Sequence, residues 1–169
     1  DRPTEDRASW TSCVLSKEEA VLAFALKDQE VADYHYHFYH LLASLVADQW
    51  TDDARTSYSE LIREELKASV HGEVDEGSWN LKQPLLNKKG ALARETRGFR
   101  DYLRQSFIDT MTLFLHGICC DIDVETGPRQ IPSRYLRRRL QLLETLYPPP
   151  TGYMVFPEEP RPSTPEKRA

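Results

Sequence analysis

The chain has 169 residues, of which 40% are hydrophobic and 29% charged, with a formal net charge of −5. That length supports one hydrophobic core and is too short for two full domains. The acidic balance weighs against general binding to nucleic acid or to anionic membranes. No run approaches the ~20 apolar residues of a membrane span. The longest stretch free of Asp, Glu, Lys and Arg, Tyr34 to Ala47, carries three histidines. There is no signal-peptide pattern, and Asp1 in place of Met is what a fragment or processed form is expected to show. Cys13, Cys119 and Cys120 have no disulfide-framework spacing and read as free thiols of a reducing compartment, which points to the cytoplasm.

Residues 1–15 read as a polar N-terminal extension with Trp10 as an isolated anchor. Ser16-Lys17-Glu18-Glu19 fits a capping box, in which the Ser hydroxyl and the Glu carboxylate satisfy orphan helix donors. It predicts a first helix over 16–50. Val21, Phe24, Val31, His35, Phe38, Leu42 and Leu45 then form one inward stripe, interrupted at Asp28. Thr51-Asp52-Asp53 opens a second helix, 53–70, with Tyr58, Leu61, Ile62 and Leu66 inward and Gly72 beyond its end. Residues 71–90 read as a long irregular loop containing Gly72, Gly77, Pro84 and Gly90, pinned by Trp79 and Leu85-Leu86.

A third helix is predicted over 91–120, with Leu92, Phe99, Leu103, Phe107, Thr110, Phe114 and Gly117 on one face. Ile108, Met111, Leu113, Leu115 and Ile118 make its C-terminal half apolar most of the way round, as a buried central helix requires. Gly127-Pro128 breaks the chain and Pro132 opens a fourth helix, 132–147. Leu136, Leu140, Leu143 and Leu146 face inward there, and Pro148-Pro149-Pro150 stops it. The Pro-rich tail 151–169 reads as extended or disordered, with Tyr153, Val155 and Phe156 able to dock. Strand-like alternation is confined to Ile122–Val124. The sum is an all-α fold: an irregular bundle of about four main helices in a single domain, 16–150.

Three constellations carry chemistry. Asp33-Tyr-His-Tyr-His-Phe-Tyr-His40 holds three of the five histidines. His35 falls in the inward stripe and is expected to be a hydrogen-bonded core residue. Asp33, His37 and His40, at i, i+4 and i+7, form a second line with Glu30, Ser44 and Asp48, expected to face solvent as a contact surface. The same three residues, joined by His116, have the ligand types for zinc or iron. Asp109, Thr112, His116 and Cys119 share one side of the third helix; they fit either a nucleophilic or metal site or a locally satisfied helix end. Arg129, Arg134, Arg137, Arg138 and Arg139 form a basic run read as a solvated helix face with Leu136 and Leu140 inward. Glu-x-x-His, His-Glu-x-x-His, a phosphate-binding Gly loop and a Gly-x-Ser-x-Gly elbow are absent from the sequence.

These features predict a non-enzymatic, cytosolic helical protein that acts through protein–protein contacts in a regulatory or interaction role. Its surface would comprise Tyr36, His37, His40, Arg134, Arg137 and Arg138. The partner would be another protein or a second copy of the chain, with no cofactor and no membrane. One alternative is a metal-dependent enzyme or metal-binding protein holding zinc or iron on Asp33, His37, His40 and His116. Another is nucleic-acid binding through the basic fourth helix, with affinity falling steeply as salt rises.

Overall fold

Helices account for most of the computed structural model, which describes residues 9–16, 19–26, 31–86, 95–119, 129–151 and 153. In chain order the elements are β1 (Ser9–Leu15), β2 (Ala20–Leu26), α1 (Val31–Asp48), α2 (Asp52–Lys67), α3 (Glu76–Leu86), α4 (Arg97–Cys119) and α5 (Ser133–Leu146). The all-α irregular bundle is as the periodicity predicts, with, among the described residues, one helix more than expected and a two-stranded hairpin.

α4 is the central helix. Phe99, Tyr102, Leu103, Phe107, Ile108, Met111 and Phe114 are all buried on it, and α1, α2, α3 and α5 pack around it. Thr96 caps its start by accepting the Phe99 N–H at 3.2 Å; the part of the predicted helix at 91–94 lies outside the described residues. α2 and α5 keep their predicted inward residues, Tyr58, Leu61, Ile62 and Leu66 on one and Leu136, Leu140 and Leu143 on the other. Thr51 caps α2, accepting from the Ala54 N–H at 3.2 Å.

The first predicted helix is not continuous. Its N-terminal part instead holds β2, paired antiparallel with β1 in the register Leu15↔Ala20 through Ser9↔Leu26, so residues 9–15 of the expected polar extension also form a strand. Ser16 and Glu19 do bond to each other, with the Glu19 N–H donating to Ser16 Oγ at 3.0 Å. The Ser16 N–H also donates to the Glu19 carbonyl at 2.8 Å. The pair therefore closes a hairpin loop and caps no helix. The deciding pattern is Ala20 to Leu26: seven residues apolar on both faces, which a short strand accommodates as readily as a helix does. Asp28, read as an interruption, falls just past the end of that strand.

α1 also sits the other way round on its wheel. Among its described side chains Ala43 and Ala47 are the buried ones, and His35 is exposed. Phe38, Leu42 and Leu45 are half-buried. The small Ala43–Ala47 edge lets α1 approach α4 closely, and that packing overrides the larger apolar stripe on the opposite side.

The expected loop 71–90 contains α3. Asp75 starts it: the Gly77 N–H donates to Asp75 Oδ1 at 3.3 Å, and the Trp79 N–H to the Asp75 carbonyl at 3.0 Å. Pro84, expected in that loop, is carried in the last turn two residues before the helix ends. The segment before α3 is fixed by a short parallel bridge between Glu73 and Gln130. There the Glu73 N–H donates to the Arg129 carbonyl at 2.9 Å and the Ile131 N–H to the Glu73 carbonyl at 3.1 Å. Gly72 makes this crossing. It has φ +85°, and a Cβ there would lie 2.1 Å from the Gln130 oxygen. Gly72→Ala is expected to destabilise by about 2–3 kcal/mol, the range of a strained, sterically blocked backbone position. Urea unfolding measures it, and a loss of only a few tenths would contradict this crossing.

Ile122–Val124, the tail beyond Tyr153, Val155 and Phe156 lie outside the described residues. Among the described residues no helix is long and apolar enough to cross a membrane.

Candidate functional site

At the centre of the bundle lies an ionic cluster built from four helices and the segment before α3. Arg139 of α5 and Lys82 of α3 are 0% exposed; Glu65 of α2 and Glu73 are each 1% exposed. Arg139 Nε donates to Glu65 Oε2 at 3.0 Å and Nη2 to the same oxygen at 2.5 Å. On its other side Nη1 reaches Glu73 Oε2 at 2.7 Å and Nη2 reaches Glu73 Oε1 at 2.9 Å. The guanidinium thus forks onto two carboxylates at once, the geometry that Lys cannot supply. Lys82 Nζ donates to Glu73 Oε1 at 3.0 Å and to the Gly72 carbonyl at 2.7 Å.

The hydroxyls complete the set. Tyr102 donates to Glu73, Arg139 Nη1 to Ser106 Oγ at 3.0 Å, and the Tyr58 hydroxyl to the Ser106 carbonyl at 3.0 Å. Two carboxylates face two cations, so the cluster is neutral within itself. Burial alone would raise the Glu73 carboxyl, but the Arg139 charge and hydrogen bonds, with Lys82 and Tyr102, hold it down at about 2. Burial pushes the Lys82 ammonium below its usual range despite Glu73. Arg139 stays charged, because Glu73 and Glu65 outweigh its desolvation. Every strong donor and acceptor here is spent on another protein group, away from solvent. This is a brace for the bundle, joining α2, α3, α4 and α5.

A second polar junction holds α1 and α3 against α4. The Tyr36 hydroxyl donates to Asp75 Oδ2 at 2.7 Å, tying α1 to the start of α3. Burial, then Asp75, pushes that hydroxyl well above the usual phenol range. Below it Asp109 of α4 is 3% exposed. Its Oδ1 accepts from the Gln105 side-chain amide at 2.7 Å, while Oδ2 has no hydrogen-bond partner among the described residues. Burial raises the Asp109 carboxyl to about 6, Asp75 adding to the rise and hydrogen bonds from Ser78 and Gln105 opposing it.

The histidine line is divided. Tyr36 is 40% exposed, and its ring lies against those of His37, centroids 5.7 Å apart, and His40, 5.9 Å apart. His37 and His40 are half-buried, and burial lowers the His40 imidazole. His116 does not join them. It stacks near Tyr39 at 5.4 Å and His35 at 6.5 Å, on a different side of α1. Asp33 belongs to α1, but its side chain lies outside the described residues, as does that of Cys119. Thr112 is buried and donates to the Ile108 carbonyl at 2.8 Å. Among the described residues no three His, Cys, Asp or Glu side chains converge as a ligand set.

The basic run of α5 splits likewise. Arg139 is the buried brace, the opposite of the solvated residue expected there. Arg134, Arg137 and Arg138 are exposed; Arg134 stacks on Tyr135 and Arg138 pairs with Glu64 at 2.9 Å. Beside that pair runs an open groove of about 370 Å³ lined by Ser57, Glu60, Leu61, Gln141 and Leu142.

Among the described residues the hairpin carries three of the six exposed large hydrophobic side chains. β1 and β2 contain no charged residue. Val14 is 63% exposed, Val21 57% and Leu15 46%. Both outer edges lack a strand partner among the described residues. Comparison with protein families, characterised proteins and solved structures returns no match, so the functional reading rests on these residues alone.

Proposed function

We propose that the chain is a non-enzymatic interaction protein whose contacts run through the β1–β2 hairpin and the adjoining histidine–aromatic helix α1. The carrying observation is the uncharged hairpin with Val14, Leu15 and Val21 held out to solvent. A two-stranded hairpin is marginal in water, and an unguarded edge of this kind invites another strand. Tyr36, His37 and His40 add amphipathic rings of the sort that bury well against a protein partner. The ionic cluster supports the same reading, because its charges are matched internally and it serves to brace the helices.

The test compares proteins recovered from extract with the wild-type chain, with Val14→Lys/Val21→Lys and with Arg134→Ala/Arg137→Ala. The hairpin variant is expected to lose specifically recovered partners about tenfold, roughly 1.4 kcal/mol of binding, while the α5 variant keeps them. An unchanged partner set with the hairpin variant would refute the reading.

A further inference from the structure

We propose that α1 is a proton-gated helix: it stays seated on α4 while the Asp109 carboxyl beneath it holds a proton, and it lifts more often once that carboxyl is ionised. The gating is a property of the fold and holds whatever α1 or the hairpin contacts.

α1 is lightly anchored. It packs chiefly on α4, and among its described side chains only Ala43 and Ala47 are buried. Phe38, Leu42 and Leu45 are half-buried. α2, of similar length, buries Tyr58, Leu61, Ile62 and Leu66. Two alanines take little apolar area out of water, and elements with few buried contacts are the ones that open locally. Polar ties carry part of the load. Arg104 donates to Asp48 at 2.6 Å between exposed side chains, a kind of pair that contributes little. The Tyr36 hydroxyl donates to Asp75 at 2.7 Å.

Asp109 lies under this helix. The Asp48–Arg104 pair at one end and the His35–His116 ring contact at the other set α1 antiparallel to α4. That register puts buried Ala43 level with buried Asp109. Ser78 of α3 and Gln105 of α4 bond the carboxyl from their sides. The alanine edge of α1 offers no donor, and Oδ2 has no partner among the described residues. An ionised carboxylate regains water there when α1 lifts, whereas the neutral acid gains far less.

The titratable and charged groups around the junction are Tyr36, His37 and His40 on α1, Asp75 ahead of α3, and Arg104 on α4, already spent on Asp48. Glu76 of α3 pairs with Arg129 instead. Burial raises the Asp109 carboxyl to about 6, so ionisation opposes seating as pH rises. His40 works in the reverse sense. Burial lowers its imidazole, so its protonation favours lifting as pH falls.

The experiment is hydrogen exchange followed by mass spectrometry on the purified full chain at pH 5 and pH 7.5. After division by intrinsic rates, wild-type α1 amides are expected to exchange at least about tenfold faster than those of α5, because α1 opens alone. The ratio of α1 opening in the wild type to that in Asp109→Asn is expected to rise about tenfold from pH 5 to pH 7.5. That is the linkage of a carboxyl at 3.8 when exposed and about 6 when covered. Intrinsic rates and the His40 contribution cancel in this ratio. His40→Gln keeps Asp109 and removes the opposing group, so its α1 opening should show the same rise without reference to the asparagine variant. α1 amides as slow as those of α5 overturn the gating, as does a wild-type to Asp109→Asn ratio equal at both pH values or a flat profile in His40→Gln.

Discussion

Replacing Arg139 by methionine is expected to lower the free energy of unfolding by about 3–5 kcal/mol, the cost of leaving buried charge without its partner. Arg139 is 0% exposed and bonds both Glu65 and Glu73. Without it Glu73 retains Lys82, while Glu65 loses its only side-chain ion pair among the described residues. The expected loss therefore traces mainly to Glu65, and a second substitution checks that assignment. Arg139→Met combined with Glu65→Leu removes one charge of each sign and leaves Glu73 with Lys82. The double variant should recover more than half of the loss, because a buried ion pair exchanged for apolar side chains of similar volume is often neutral. Urea unfolding of the wild type and the three variants measures the cycle. A single-variant loss below about 1 kcal/mol would mean that Arg139 does not brace the bundle.

Both partners of that brace were legible in the sequence as misplaced charges. On α5 the residues Leu136, Arg139, Leu140 and Leu143 recur at i, i+3, i+4 and i+7. On α2 Tyr58, Leu61, Ile62 and Glu65 do the same. Arg139 and Glu65 thus occupy apolar stripes, and two opposite charges at core positions on different helices are the signature of a buried pair. Arg139 looked solvated because Arg137 and Arg138 precede it, and a run of like residues hides the one that points inward. Glu73 and Lys82 left no such mark, because their approach depends on the Gly72 crossing and on α3, whose Gly77 and Pro84 read as loop.

The bundle itself was legible for the opposite reason. α2 and α5 each carry a single dominant stripe, so one helical phase fits and packing does not contest it, while the C-terminal half of α4 is apolar most of the way round, as a central helix requires. α1 carries apolar residues on two sides, and the choice between them depends on how closely α4 approaches, which periodicity does not encode. The hairpin shows the same limit. Ala20 to Leu26 has no alternation, so strand and helix differ only in what surrounds the segment. The candidate surface was legible in part: Tyr36, His37 and His40 were visible as an unusual cluster, whereas the exposed Val14, Leu15 and Val21 were hidden by the expectation of a helix.

Asp109→Asn is expected to stabilise the protein by about 3 kcal/mol at pH 7.5 and by little at pH 4. Burial raises this carboxyl from 3.8 to about 6, and each unit corresponds to about 1.36 kcal/mol. A folded-state value above the unfolded one means that the native protein holds the proton more tightly. Its contribution to stability is thus complete below pH 3.8 and is lost as pH rises through about 6. The physical cause is burial, which the Gln105 and Ser78 hydrogen bonds offset only in part: Oδ2 has no hydrogen-bond partner among the described residues, so the charged form is the costly one and the acid or the amide is not. Glu73 runs the other way. Its folded value, about 2 against the ordinary 4.5, gives stability that is present above 4.5 and lost as pH falls toward 2. The contributions of these two groups thus run in opposite directions with pH, Asp109 favouring the folded state on the acid side and Glu73 above about 4.5. In Asp109→Asn the rise in stability from pH 7 down to 4 should disappear, while the acid-side fall governed by Glu73 remains. Thermal or urea unfolding at pH 3, 4.5, 6 and 7.5 resolves both limbs. Parallel profiles for wild type and variant above pH 4 would show that Asp109 is not the group that titrates there.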